Sequence, residues 1–198
     1  MTHPADNYRG FSDLAHVQVE GIDYRIEVRP HLDSAVVIIA PHGGDIEPGT
    51  SDIARSIAGE DFSLYVFEGI RSSENYGHLH LTSHRFDEPQ CLDLVSKSDH
   101  VVAVHGCLGE ERQVLIGGLD TPLKNRIVEE LHALGIDARL EGHDFAAVNA
   151  MNICNRGRRG VGAQIEITRA LRRHQQCQLV SVAIRTALFD LQRSAPAE

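Results

Sequence analysis

Ser34-Ala-Val-Val-Ile-Ile-Ala-Pro-His-Gly-Gly-Asp-Ile-Glu47 is an apolar run that stops at a histidine, two glycines and two carboxylates. Val36 to Ala40 predict a strand buried on both faces, because the run is continuous, rich in β-branched side chains and closed by Pro41 and the glycine pair. The polar cluster then lies just past the carboxyl end of a strand, which is where open α/β sheets bind ligands. His42 and Glu47 suit Zn²⁺ there, with an imidazole nitrogen and a carboxylate oxygen that Gly43-Gly44 allows to face one point. A zinc hydrolase usually supplies three protein ligands and leaves a position for water, so a third ligand has to come from elsewhere.

Working outward, Tyr24 to Arg29 alternates as a half-buried strand at a sheet edge. Pro48 to Gly59 predicts a helix with Thr50 or Ser51 as N-cap and Ile53, Ala54, Ile57 and Ala58 on its apolar stripe. Phe62 to Phe67 predicts a strand and Glu88 to Lys97 a short helix. In between, His78-Leu-His-Leu81 alternates as a strand would, with His78 and His80 on one face and Leu79 and Leu81 on the other. His100-Val-Val-Ala-Val-His105 repeats the opening pattern: a buried strand delivering a histidine followed by glycine. If the two strands are neighbours, His42 and His105 come side by side, and sharing one ion at bonds near 2 Å requires their rings to approach within about 5 Å. Thr121 to Gly135 reads as a helix, with Thr121 as N-cap, Pro122 at its first position and Leu123, Ile127, Leu131 and Leu134 on one stripe. A short strand over Asp137 to Leu140 follows. After it come an Asn/Arg/Gly-rich loop over 149 to 160, a strand over 162 to 168, a helical turn and a closing helix over 179 to 191. Residues 1 to 16 read as an irregular lead-in with at most one helical turn. The order of strands and helices gives one α/β domain over 1–198, a mixed but mostly parallel twisted sheet flanked by helices.

His42, Glu47 and His105 are therefore the candidate zinc ligands, although each alone is compatible with a satisfied strand-end polar group, and the chain has 12 histidines. Metal-assisted hydrolysis also needs a carboxylate to move protons. Glu166 is the candidate, on the polar face of a strand (Gln164, Glu166, Thr168) whose other face is Ala163, Ile165 and Ile167; the alternative is a solvated strand face. Arg156, Arg158 and Arg159 are candidates for holding substrate carboxylates, since guanidinium matches carboxylate geometry; the alternative is an exposed basic loop. His80 and Arg85 form a further substrate-binding set with His84, or His80 is a buried structural histidine.

A formal charge of -9 argues against a nucleic-acid partner, which is bound through clustered Lys and Arg. Cys91, Cys107, Cys154 and Cys177 form no C-x-x-C and are expected as reduced thiols. No secretion signal and no 18-residue apolar run is present in the 198 residues, so the chain is expected to be cytoplasmic, monomeric and without a membrane partner.

Pro41-His-Gly-Gly-Asp-Ile-Glu-Pro-Gly-Thr50, Leu79-His-Leu-Thr-Ser-His-Arg-Phe-Asp-Glu-Pro89, Val104-His-Gly106, Ile116-Gly-Gly-Leu-Asp120 and Asn152-Ile-Cys-Asn-Arg156 through Gln164-Ile-Glu166 together resemble the poly-γ-glutamate hydrolase family of bacteriophages and bacterial genomes. The resemblance runs from about residue 30 to 190. It implies a zinc-carboxypeptidase-like fold and hydrolysis of γ-glutamyl amide bonds in an anionic glutamate polymer. It places the zinc ligands at His42, Glu47 and His105 and the acid/base at Glu166, and Asn155 in the fifth motif joins the substrate-binding candidates. Four residues separate His42 from Glu47, unlike the H-x-x-E of carboxypeptidases, so their exopeptidase machinery is not carried over. Two other functions fit the same residues: a zinc amidohydrolase of small N-acyl or γ-linked glutamates, and a non-catalytic metal-containing binding module.

Overall fold

The computed structural model describes residues 6–194, and the first five residues of the expected lead-in lie outside them. The elements run α1 (Phe11–Ala15), β1 (Tyr24–Arg29), β2 (Val36–Gly44), α2 (Thr50–Ala58), β3 (Ser63–Gly69), α3 (Asn75–Leu79), α4 (Pro89–Ser96), β4 (His100–Cys107), β5 (Gln113–Gly117), α5 (Thr121–Ala133) and β6 (Asp137–Arg139). A 3₁₀ turn (Ile153–Asn155), β7 (Ala163–Thr168), α6 (Arg169–Arg172) and α7 (Cys177–Ser194) complete the chain. Seven strands form one sheet in the order β1-β3-β2-β4-β7-β5-β6. β3, β2, β4 and β7 are parallel, while β1 and β5 join antiparallel. The mixed, mostly parallel α/β sheet expected from the sequence is therefore the one observed.

Alternation within the strands sends neighbouring residues to two separate cores. Val36, Ile38, Val102, Val104, Ile165 and Ile167 pack beneath α2, α5 and α7. Val37, Ile39, Val101 and Ala103 face α1, α4 and the segment around Leu79, Leu81 and Phe86. Because both faces are covered, the central strands are apolar at almost every position, and β2 is buried throughout Val36–Gly43.

Several expectations are corrected. His78 to Leu81 does not form a strand: α3 ends at Leu79 and the chain then extends, so that Leu79 and Leu81 are both fully buried. The Leu–His alternation arises from one residue in a helix and one in the extended segment after it. α2 is preceded by Gly49 at φ 96° with no side-chain cap; the Thr50 hydroxyl donates instead to the carbonyls of Glu47 and His42. Asp120, not Thr121, caps α5, its Oδ1 accepting from Leu123 N at 3.3 Å. Leu134 lies outside α5 and is 36% exposed. β5 was not anticipated. The lead-in carries the five-residue α1, whose Leu14 is fully buried. All four cysteines are free thiols.

Candidate metal centre

The site begins at the irregular end of β2. Its register against β3 shifts between Ala40 and Gly43, and a bulge of this kind re-aims side chains at a strand's end. Gly44 has φ 60°, and a Cβ on it would stand 2.3 Å from Gly69 O, so only glycine permits the chain to reverse this close to β3. The reversal is held by Glu47 N donating to His42 O at 3.0 Å and Ile46 N to Gly43 O at 3.3 Å. Its result is that Glu47 Oε1 lies 3.0 Å from His42 Nδ1.

β4 is the parallel neighbour of β2 and brings His105 alongside. Its Nδ1 is 3.1 Å from His42 Nδ1 and 3.7 Å from Glu47 Oε2, and the two rings are 4.8 Å apart, within the limit for sharing an ion. All three side chains are buried. Their outer atoms are anchored by the protein. His42 Nε2 lies 2.8 Å from Leu81 O, to which only an N–H can donate, so Nδ1 carries the lone pair of the neutral ring. His105 Nε2 faces Ser83 Oγ at 3.4 Å, and Gly106 N donates to Glu47 Oε2 at 2.7 Å.

Two imidazole nitrogens and a carboxylate thus converge with their acceptor sides inward, an arrangement that is self-repelling without a cation among them. Tetrahedral zinc at bonds of about 2.0–2.1 Å sets its ligand atoms about 3.4 Å apart; the imidazole nitrogens are 3.1 Å apart, and the two oxygens of Glu47 lie 3.0 Å (Oε1 to His42) and 3.7 Å (Oε2 to His105) from them. Outer anchoring of ligating imidazoles by a carbonyl is likewise a common property of zinc sites. The donor set fits zinc. The electrostatics agree: burial opposes charge on His42, but Glu47 outweighs it and raises the pKa. Burial, then His42, depresses His105 to about 3. The cluster calls for positive charge, and of its two imidazoles only His42 can supply it as a proton.

His80 approaches the same point. Its ring is 4.2 Å from that of His42 and stacked at 4.4 Å on Tyr76, and His42, Glu47 and His80 also form a group with one ligand atom each within 4.8 Å. Burial, then His42, lowers its pKa to about 4, so the ring is neutral at physiological pH.

Glu166 stands on β7 directly opposite His105. The alternation expected for its strand is present, but the polar face is not solvated: Gln164, Glu166 and Thr168 are buried. Gln164 Nε2 donates to Glu166 Oε1 at 2.8 Å, and Asn152 Nδ2 donates to Gln164 Oε1 at 2.8 Å, so the carboxyl is oriented by a two-link chain. Burial, followed by the charge of Glu47, raises its pKa well above the usual carboxylate range. His42, Glu47, His80, Thr82, Ser83, His105, Gly106, Phe145, Gln164 and Glu166 line a cavity of about 140 Å³.

The arginine candidates lie elsewhere. Arg158 Nε pairs with Asp99 Oδ1 at 3.1 Å, and Arg159 Nη1 pairs with Asp120 Oδ2 at 2.7 Å and contacts His100 at 3.0 Å. These partners sit at the amino end of β4, the opposite edge of the sheet from His105. Arg156 does not line the cavity either; its charge acts on Cys91 of α4. Asn155 is committed to the backbone, Oδ1 accepting from Leu119 N and Gly162 N while Nδ2 donates to Ala147 O and Asn149 O. It pins the loop that carries Phe145. Arg85 is half-exposed, 3.9 Å from Asp6 and two residues after the cavity-lining Ser83, without lining the cavity itself.

Arg172 was missed as a residue of the site. Its Nε donates to Pro48 O at 2.9 Å and its Nη1 to Cys107 O at 3.1 Å and to Ile167 O, tying together the carboxyl ends of β2, β4 and β7. A Cβ at position 106 would collide with Arg172 Nη1 at 2.4 Å, so the glycine after His105 makes room for a cation. The histidine–glycine pair was the available signal.

Comparison with known proteins places these features in context. A family model described as poly-gamma-glutamate hydrolase matches residues 8–190. The SPbeta prophage-derived UPF0714 protein YoqZ of Bacillus subtilis (strain 168) is 39% identical over 171 residues, covering 85% of this chain and 61% of YoqZ. The chain therefore spans about three fifths of the length of that curated relative. The structure of a bacteriophage poly-gamma-glutamate hydrolase superposes with a TM-score of 0.92 at 32% identity, covering 96% of this chain and all of the other (100%). A structure described as zinc-free apo YNDL superposes with a TM-score of 0.84 at 29% identity, covering 96% and 98%.

Proposed function

Because the chain belongs to the poly-γ-glutamate hydrolase family, we propose that it is a zinc-dependent hydrolase of γ-glutamyl amide bonds in poly-γ-glutamate. The convergence of His42 Nδ1, His105 Nδ1 and Glu47 within 3.7 Å of one another, beside the buried carboxyl of Glu166, is the observation that carries this proposal. The zinc-free description of a related structure agrees with zinc as the natural metal.

His42, Glu47 and His105 would hold the metal. Bound zinc supplies Lewis acidity, which polarises a carbonyl oxygen and acidifies water. Glu166 takes the proton of the attacking water and passes it to the leaving amide nitrogen. Its Oε1 is occupied by Gln164, so Oε2 carries this traffic. Burial and the Glu47 charge make its proton affinity high enough for the second half of the task. Phe145 lines the cavity and gives it an apolar wall. Arg85 is the cation assigned to a glutamate carboxylate of the substrate, in place of the 156–159 arginines. A negatively charged protein can accept a polyanion when cations focus potential at the site.

The decisive variant is Glu166→Gln. It is expected to keep stoichiometric zinc and to lose turnover by about 10²–10⁴-fold, the usual worth of a positioned acid–base. Retained turnover would remove Glu166 from the mechanism, and turnover by neither protein would favour a binding module. A second substrate class, small N-acyl or γ-linked glutamates, is favoured by the cavity itself: about 140 Å³ is below the roughly 300–1,000 Å³ of most small-molecule sites. Parallel assays on polymer and N-acylglutamates separate the two by their kcat/KM.

A further inference from the structure

Asp6 lies in the lead-in, far from the site in sequence, yet its carboxylate is 1% exposed and faces the cavity wall from behind. Oδ2 accepts from Thr82 N at 2.9 Å and from the Thr82 hydroxyl at 2.6 Å, while Oδ1 lies 3.1 Å from His80 Nδ1. An ionised carboxylate can only accept, so Nδ1 is the donor and in the neutral ring Nε2 is left as an acceptor. The ring cannot turn away from this geometry, because Tyr76 covers one face and His42 the other, at centroid distances of 4.4 and 4.2 Å. Nε2 has no hydrogen-bond partner among the described residues, and His80 and Thr82 both line the cavity.

We infer that Asp6 is a positioning residue for His80, fixing the ring and its tautomer so that Nε2 meets the substrate as a hydrogen-bond acceptor. The matching donor is an amide N–H, which every γ-glutamyl link carries and an ester would lack. The identity of that donor rests on the hydrolase reading above; the placement of the proton on His80 does not. A carboxylate behind an imidazole performs the same service for metal-ligating histidines.

The test uses zinc-loaded protein with ¹⁵N-labelled histidine, whose ring nitrogens report by NMR which one carries the proton, His80 being assigned from the spectrum of His80→Gln. Wild-type protein is expected to carry the proton on Nδ1; a proton on Nε2 overturns the proposal whatever the variants do. Asp6→Ala and Asp6→Asn are expected to shift the His80 tautomer, to keep full zinc, and to lose kcat by about 10–100-fold with KM changed by less than about threefold. If Asp6→Ala does not fold, Asp6→Asn decides, since its side-chain oxygen still accepts from Thr82. An unshifted tautomer, a kcat within about twofold of wild type, or a loss that follows zinc content overturns the assignment. Wild-type protein that cleaves no γ-glutamyl bond but keeps the proton on Nδ1 overturns the hydrolase proposal and leaves the positioning of His80 by Asp6 standing.

Discussion

The two ends of β4 hold the same kinds of residue and do opposite things with them. At the amino end, His100 meets the carboxylate of Asp120 at 3.7 Å, but Arg159 reaches that carboxylate at 2.7 Å and contacts the imidazole at 3.0 Å. At the carboxyl end, His105 meets Glu47 at 3.7 Å and His42 at 3.1 Å, and among the described residues no arginine pairs with that carboxylate, the nearby Arg172 donating to backbone carbonyls instead. The first group brings its own cation and is electrostatically closed, with its acid also capping α5. The second gathers two imidazoles and a carboxylate as a candidate cation site would. A histidine–carboxylate pair is thus a latch or a candidate metal centre according to whether a guanidinium fills it, which residue type alone does not reveal.

Removing a ligand tests the open end and has the largest expected effect. His105→Ala should fold but fail to retain zinc after dialysis, because two ligands remain where catalytic zinc sites use three. Elemental analysis checks this, and full zinc with His105 absent would shift the ligand set towards His80, whose ring stands against His42. Loss of zinc with circular dichroism unchanged would sharpen the contrast.

The closed end should respond in stability instead. Asp120→Asn keeps a competent N-cap but breaks an ion pair whose carboxylate is 1% exposed, at a cost of about 2 kcal/mol, or a Tm lower by roughly 4–8 °C for a chain of this size. Burial opposes ionisation of Asp120, but His100, Leu123 N and Arg159 outweigh it and hold its pKa below the usual carboxylate value. A depressed folded-state pKa stabilises above the unfolded value of about 3.9 and is lost as pH falls through the folded value. The gap between Asp120→Asn and wild type should therefore be full at neutral pH and shrink below about pH 4. A gap that stays constant with pH would mean that the carboxylate charge contributes nothing there. Turnover per zinc should be retained.

The contrast also explains what the sequence could and could not convey. Continuous β-branched runs marked β2 and β4, and a terminal His-Gly on each marked the end at which the candidate site lies. Glu166 was placed on the polar face of β7 because alternation is a local property, although the burial of that face depends on the segments that cover it. β5 escaped notice because only five residues form it and its pairing is antiparallel to β7, a fact of topology. His80 was placed on the wrong kind of element, since a Leu–His alternation is equally produced by a helix end running into an extended segment. Asp6 sits 74 residues from its histidine, and no local pattern announces such a contact. The misplaced arginines are the most instructive. Residues 156 to 159 immediately precede a strand that runs parallel to β4, so they had to lie at its amino end. Composition drew attention to them; direction along the strand would have excluded them.

That exclusion yields the smallest predicted effect. Arg159 is 39% exposed at its side chain, and a half-exposed ion pair contributes only about 0.2–1 kcal/mol. Without it Asp120 keeps both the Leu123 N–H and His100, so α5 remains capped. Arg159→Ala should lower Tm by no more than about 1–4 °C. Its KM for poly-γ-glutamate should stay within about twofold of wild type, since the lost cation is on the far edge of the sheet from the cavity. A several-fold rise in KM with Tm unchanged would mean that the polymer reaches the amino end of β4 after all. In that case the two ends would differ in task, one holding the chain and the other cutting it, and the latch would have to be counted as part of the substrate surface.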